Sequence, residues 1–498
     1  MKRYLLELIV FICGAVVMIL ELVGSRVLAP YLGTSIVVWT SLIGIILGSL
    51  SVGYWWGGKI ADREPSYHVF SLIIFIAAVL IGLSTAVKSP VLDFLQDHVE
   101  SFHISAVVGT LILFAPASVV LGMISPYAVR LKIHDLDTSG TTVGTLYAIS
   151  TVGSIAGTFL AGFYLIAYFG STKILIVLSA VLVATSVFAY AGKSLALRGA
   201  VLGLLILGFL AAHSYEDFLR KQGIVEVDTQ YNRVTIRAGI DERTGRPTRV
   251  MVTNPREVQS AMYTDSDDDL VLGYTRFFRL IRHFNPGVKS GLMIGGAGYS
   301  YPKDFLKAFP GASLDVVEID PQFTALARQY FNLADDPRLR VHHQDGRTFL
   351  NRSRGYYDAI FGDAFSSLYS IPYQLTTVET VRRMYGLLND GGVVLVNIIS
   401  AIEGERGRFL RAEYRTFRAV FPQVYLLPVY SPGDGLELQN VMLVALRTAK
   451  IPPFFSSDPE LNGYLSNVWT RPVAEDIPIL TDDHAPVDNY ILKIIRDL

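Results

Sequence analysis

Apolar residues are spread very unevenly along this chain. Before about residue 213 they form long runs, near 5–28, 36–56, 69–87, 104–128, 143–168 and 173–191. Each is at or near the ~20 residues that cross a bilayer as a helix. A further run, 199–212, is shorter and is predicted to be interfacial or a half-span, with Arg198 snorkelling from its start. Gly153, Gly157 and Ala161 repeat at helix-packing spacing and predict a close helix contact. Pro116 and Pro126, with Gly122 between them, predict a kink in the fourth run. Glu21 and Arg26 fall inside the first run, where ionisable groups are costly and mark either a functional pair or a snorkelling end. After residue 213 the pattern changes: apolar runs of strand length alternate with amphipathic stretches, as in a parallel βαβ sheet.

The most informative stretch is 291–320, GLMIGGAGYSYPKDFLKAFPGASLDVVEID. An apolar run ends in a glycine-rich turn (Gly295, Gly296, Gly298), a helix-like segment follows, and a second apolar run ends in Glu318-Ile319-Asp320. Glycines at the first βα turn let backbone approach a nucleotide, and an acid about 20 residues on accepts the ribose hydroxyls. As the end of a strand, position 318 is expected to be exposed. A third strand begins at Leu339 and leads to Gln344-Asp345-Gly346-Arg347. A fourth, 357–361, ends in Gly362-Asp363, and a fifth, 393–397, ends in Asn397. Acids at the carboxyl ends of parallel strands converge on the edge where open α/β folds bind ligands. Asp345 is placed to accept from an adenine amino group, and Asp363 to face a reacting centre. Each is equally a helix N-cap or turn residue.

Val317-Glu318-Ile319-Asp320, Asp345-Gly346-Arg347, Tyr357-Asp358 and Gly362-Asp363 occur in the order and spacing of the spermidine synthase (polyamine aminopropyltransferase) family, which this chain resembles over about 223–450. That family is a branch of the class I S-adenosylmethionine-dependent methyltransferase-like fold. Residues 230–236, QYNRVTI, resemble its opening strand and bring Asn232 into the cofactor set, while 254–259 resemble the turn before its next segment and bring in Gln259. The resemblance implies that Glu318 holds the ribose of a thioadenosine, Asp345 the adenine, and that Asp363 is the general base. Three departures accompany it. Gly298 stands where the family has an acid that pairs with the donor's ammonium. Ser366 stands where a second carboxylate grips the amine acceptor. Leu272-Gly273-Tyr274 replaces the segment lining the amine pocket. Tyr299, Gln259, Tyr274 and Ser366 are the candidate substrate-binding residues.

Composition adds boundaries. Hydrophobic residues make up 51% of the 498, and mean hydropathy is +0.40, an excess lying almost wholly before residue 213. A net charge of −1 and pI near 6.8 give no reason to expect nucleic acid. The single cysteine, Cys13, allows no intrachain disulfide, and nine histidines without ligand spacing point to no metal. Lys2, Arg3, Lys59, Arg63, Arg130, Lys132, Lys193 and Arg198 lie at the amino end and in alternate loops, against Lys88 and Lys173 opposite, which places the N-terminus in the cytosol. Six spans then return the chain to the cytosol; the alternative is seven spans with the charge rule violated. Residues 57–63, GGKIADR, resemble a short basic loop of major-facilitator transporters. The stretch 408–421 reads as a solvated helix face, and 481–488, TDDHAPVD, as a capping segment.

The expectation is a multi-pass α-helical membrane domain (1–213), a linker with a small N-terminal β-subdomain (214–290) and an α/β Rossmann-like catalytic domain with a C-terminal tail (291–498) in the cell's inner membrane, its catalytic part cytoplasmic. Partners are the bilayer and a small-molecule amine or other nucleophile, a homodimer being compatible. The co-substrate is decarboxylated S-adenosylmethionine, or S-adenosylmethionine itself if the enzyme is a methyltransferase. A transporter-like bundle with a nucleoside-sensing domain is the reading from another class.

Overall fold

The computed structural model describes residues 4–33, 35–63, 65–99, 101–133, 139–190, 192, 195–254, 257–266, 269–364 and 371–496. It divides into two compact units, Met1–Val234 and Thr235–Leu498.

The first unit is a helical bundle: α1 (Leu5–Leu32), α2 (Ile36–Arg63), α3 (Tyr67–His98), α4 (Phe102–Leu113), α5 (Ala115–Gly122), α6 (Ile124–Lys132), α7 (Ser139–Leu160), α8 (Ile166–Tyr168), α9 (Ser171–Ala189) and α10 (Leu195–Lys221). Among the described residues, six helices are long and apolar enough to cross a membrane, and the bent segment α4 to α6 makes up to seven. That segment bends by 49° just ahead of Pro116, in line with the kink expected there. Gly153 and Gly157 let α7 lie against the α1 backbone; a Cβ on them would stand 2.1 Å from the Phe11 carbonyl and 2.4 Å from that of Ala15. Direct backbone approach of this kind is what small residues permit between helices in lipid.

Two expectations change here. The run 199–212 is not a short separate piece: it is the middle of the 27-residue α10, long and apolar enough to cross a membrane, which continues past the boundary expected at 213. Arg198 does not snorkel. It is 1% exposed, donating to the Ser186 and Tyr190 carbonyls at 2.8 and 2.7 Å and to Ser71 Oγ. A guanidinium carries five donors and no acceptor, so it suits the open carbonyls at the end of α9. Arg26 likewise turns inward, to the Thr229 and Tyr231 carbonyls, whereas Glu21 is half-buried. Lys132 pairs with Glu7, and Lys88 donates to Thr172.

β1 (Val225–Asp228) belongs to the first unit, and the division between units falls within β2 (Arg233–Ile240). The second unit opens with the rest of β2, paired antiparallel with β3 (Pro247–Asn254), which pairs antiparallel with β4 (Glu257–Tyr263). After α11 (Gly273–Phe277) and α12 (Ile281–Phe284) come β5 (Ser290–Ile294), α13 (Ser300–Ala308), β6 (Ser313–Val317), α14 (Pro321–Tyr330), β7 (Leu339–His342), α15 (Gly346–Arg352), β8 (Tyr357–Gly362), α16 (Val378–Leu387), β9 (Leu388–Ser400), α17 (Arg408–Arg418), β10 (Gln423–Pro428), β11 (Gln439–Leu446), α18 (Pro459–Leu465) and α19 (Val487–Arg496). The sheet runs β10-β11-β9-β8-β5-β6-β7, with five parallel strands and an antiparallel β10–β11 edge. Its central strands read almost wholly apolar because helices cover both faces.

α17 is not the solvated face expected for 408–421. Phe409, Leu410, Ala412, Glu413, Thr416 and Phe417 are buried, and Arg411 is held by the Asp476 carboxylate at 2.7 and 2.8 Å. The tail segment is structural at Asp482, which takes a bidentate bond from Arg347 at 2.9 and 2.6 Å and one from Thr377.

Candidate active site

Strand order reverses between β5 and β8, which run parallel and are each followed by a loop at the same sheet edge. That is the switch point where open α/β sheets bind ligands. The loop after β5 is strained in a patterned way. Gly295 has φ +96°, and Ala297 and Tyr299 sit at +42° and +55°, a left-handed region that costs a residue with a Cβ. At Gly295 a Cβ would come within 2.8 Å of the Asp363 carbonyl, so only glycine lets the turns after β5 and β8 approach each other.

Glu318 stabilises that turn from behind. Its Oε2 accepts from the backbone N–H of Gly296 and Ala297 at 2.9 and 3.0 Å, and its Oε1 from Asp320 at 2.9 Å. It is buried, at 6% exposure, not the exposed strand end anticipated, because the turn folds over it. Burial holds its carboxyl above the usual range, against the pull of three N–H donors. A carboxylate offers about four lone-pair positions, so little acceptor capacity remains for a ribose.

Asp363 is built differently. Tyr274 Oη donates to its Oδ2 at 3.3 Å and Asn397 Nδ2 to its Oδ1 at 3.2 Å. Burial pushes its carboxyl up to about 7, the two donors pulling the other way. It lines a small recess with Tyr274, Gly296, Ser260, Met293 and Tyr301. One group that titrates near neutrality thus faces a space shaped by a nucleotide-type turn, a combination suited to proton abstraction.

The other candidates fall into place unevenly. Gly298 donates to Ser260 Oγ at 2.9 Å, and a Cβ there would meet the Ser260 side chain at 2.7 Å. Asp320 caps α14 through Gln322, and Asp345 caps α15 through Thr348 with its second oxygen on Gln374. Gly346 lets α15 pass close to Ile294. Tyr299 is not in the recess wall: it is fully buried, with its hydroxyl on Thr324 at 2.7 Å. Gln259 lies on β4, accepting from Thr253 at 3.5 Å. Asn232 belongs to the first unit, in a turn closed on Thr229. Ser366 lies outside the described residues. Asn397, Ser260 and Tyr301 escaped sequence reading. Asn397 carried a signal, as the polar end of an apolar strand at the active edge, whereas Ser260 and Tyr301 look like ordinary strand and helix residues.

Comparison with known proteins agrees with this geometry. Residues 280–436 match the spermine/spermidine synthase domain. The chain is 33% identical over 172 residues to a polyamine aminopropyltransferase of Vibrio vulnificus, covering 34% of this chain and 56% of that one, little more than half its length. It is 23% identical over 425 residues to polyamine aminopropyltransferase 1 of Streptomyces coelicolor, covering 79% of this chain and 75% of that one. Among solved structures, a probable spermidine synthase from Corynebacterium glutamicum aligns at 19% identity and a TM-score of 0.40, over 53% of this chain and 90% of that one. With β5 to β11 ordered as a Rossmann-like sheet and this domain match across its switch point, residues 280–436 form a spermidine synthase-like domain.

Proposed function

We propose that the second unit transfers an aminopropyl group from decarboxylated S-adenosylmethionine to an amine, releasing 5′-methylthioadenosine. The amine nitrogen attacks the carbon next to the sulfonium. The C–S bond breaks with its electron pair passing to sulfur, which leaves as a neutral thioether. The proton shed by the new ammonium goes to Asp363. The observation carrying this reading is Asp363 itself, a carboxyl near neutrality facing the recess beside the glycine turn. A bound sulfonium lowers its pKa and keeps it ionised for the step. A sensing module has no need of such a base.

A methyltransferase using intact S-adenosylmethionine is the second reading, favoured by one observation. Position 298 has no room for a side chain, and Asp269, a candidate substitute for the missing acid, is engaged by Arg276 and Arg279 at 2.9 and 3.2 Å. Asp267 and Asp268 lie outside the described residues. Incubation of the full chain with each donor, followed by mass spectrometry of the nucleoside, separates the two. Methylthioadenosine supports aminopropyl transfer, S-adenosylhomocysteine supports methyl transfer, and neither product refutes both.

We place the chain in the cell membrane by its apolar helices, with the catalytic unit in the cytosol where a charged donor is made. With α10 a full-length helix, seven crossings put the amino terminus on the opposite face, against the distribution of basic residues. Reporter fusions at the two termini test this; the same face for both would refute it.

A further inference from the structure

Asp363 is oriented by residues behind it. Asn397 ends the apolar part of β9 and is wholly buried. Its Nδ2 donates to Asp363 Oδ1 at 3.2 Å, and its Oδ1 accepts from Nδ2 of Asn440, on β11, at 2.9 Å. A side-chain amide donates only through nitrogen and accepts through oxygen. An ionised carboxylate only accepts, so Nδ2 of Asn397 is the end that faces Asp363, which leaves Oδ1 for the Asn440 amide. Nothing in the strand pairing needs these amides, because the β9–β11 ladder runs through backbone on both sides of them.

We propose that Asn440 and Asn397 form a positioning relay that keeps an N–H donor on one oxygen of Asp363 and so sets the pH at which Asp363 accepts the proton. The inference rests on Asp363 as the base in the proposed reaction. A donor on a carboxylate favours its ionised form, and loss of the donor raises its pKa. The other titratable groups lining the recess are Tyr274 from α11 and Tyr301 from α13, both phenols kept neutral by burial. Tyr430 stands behind Tyr274, accepting from its backbone and that of Gly273. From β4 and the β5 side come Ser260, Met293 and Gly296, none of them charged. Glu318, the acid bonded to the same turn, is occupied by backbone donors.

The test is an infrared titration of the full chain in lipid nanodiscs, following the protonated-carboxyl band that disappears in Asp363→Asn. In Asn397→Ala the midpoint should rise by roughly one pH unit, the scale of one lost donor at a buried carboxylate. In Asn440→Ala it should rise by less, because the freed amide can turn over. Adding Asn440→Ala to Asn397→Ala should shift it no further. An unmoved midpoint in both single variants overturns the relay, as does an Asn440→Ala shift of equal size in both backgrounds. Should Asn397→Ala not fold, Asn440→Ala decides alone, being at a half-buried position, and an unchanged midpoint overturns the relay. The infrared readout needs no turnover. Absence of aminopropyl product from the unmodified protein refutes the proposed reaction, and the relay remains measurable.

Discussion

Glu318 and Asp363 stand at the same edge of the same sheet, one on each side of β5, and burial pushes both carboxyls upward. Their partners differ. Glu318 is saturated by three backbone N–H groups at 2.9–3.0 Å, so it is part of the turn's architecture. Among the described residues, Asp363 takes side-chain donors at 3.2 and 3.3 Å, and it faces a small recess. Backbone donors are fixed by the fold and hold a carboxylate still. Side-chain donors of longer reach leave it able to exchange a proton. The same residue type therefore serves shape on one strand end and chemistry on the other.

The largest expected break in that comparison is Asp363→Asn. The amide keeps the shape but cannot take a proton, so turnover should fall by ~10²-fold or more while nucleoside affinity changes little. Full turnover in a folded Asp363→Asn protein would remove the base and with it the aminopropyl mechanism. Glu318→Gln should do the opposite. Replacing a charged acceptor of three N–H bonds costs about 1.5–3 kcal/mol, and here the loss falls on the turn. Thermal stability and nucleoside affinity should drop together, read by melting and calorimetry. A fall in affinity with unchanged stability would mean that Glu318 serves the ligand alone.

pH sharpens the contrast. Asp363 acts as a base only when ionised, so kcat/KM should rise through about pH 7 and level off above it. Stability runs the other way. The folded carboxyl holds its proton up to about 7 and the unfolded one only to ~3.9, so the native state binds more protons in between. Folding free energy is therefore lost as pH rises from about 4 to 7. Asp363→Asn escapes that loss and should be more stable than the parent above pH 7, by up to about 4 kcal/mol and less where solvent reaches the group. Equal stability of the two proteins at pH 8 would show that Asp363 is not held at a cost.

Much of this was legible in the sequence. The periodicity of 291–397 gave strands β5 to β9 in order, because buried parallel strands leave nearly continuous apolar runs. The glycines after β5 and Asp363 after β8 were visible for the same reason: both terminate such runs. Burial was not. Nothing local shows that the turn folds over Glu318, that α17 hides Glu413, or that Arg198 reaches the end of α9. Those depend on contacts between residues distant in sequence. Tyr299 misled because a tyrosine in a nucleotide turn looks like a ligand contact, and its left-handed backbone sends the ring under the turn to Thr324 instead.

The smallest effect should come from Tyr274→Phe. Its hydroxyl is the longer of the two donors to Asp363, at 3.3 Å, and stays neutral because burial and the adjacent carboxyl raise its pKa well above the usual phenol range. Phenylalanine keeps the ring and its edge contact with Phe278, at a centroid distance of 6.5 Å, so packing survives. What is lost is one weak bond to the ionised acid, worth about 0.5–1.5 kcal/mol. The acid limb of kcat/KM should move to higher pH by less than about one unit, with plateau turnover within about tenfold of the parent. The direction is fixed by which state the hydroxyl favours: it donates, so its loss penalises the carboxylate. A limb that moves to lower pH would mean that Tyr274 accepts a proton from Asp363 rather than giving one, and the two strand ends would then differ in the sense of their hydrogen bonds as well as in the kind of partner.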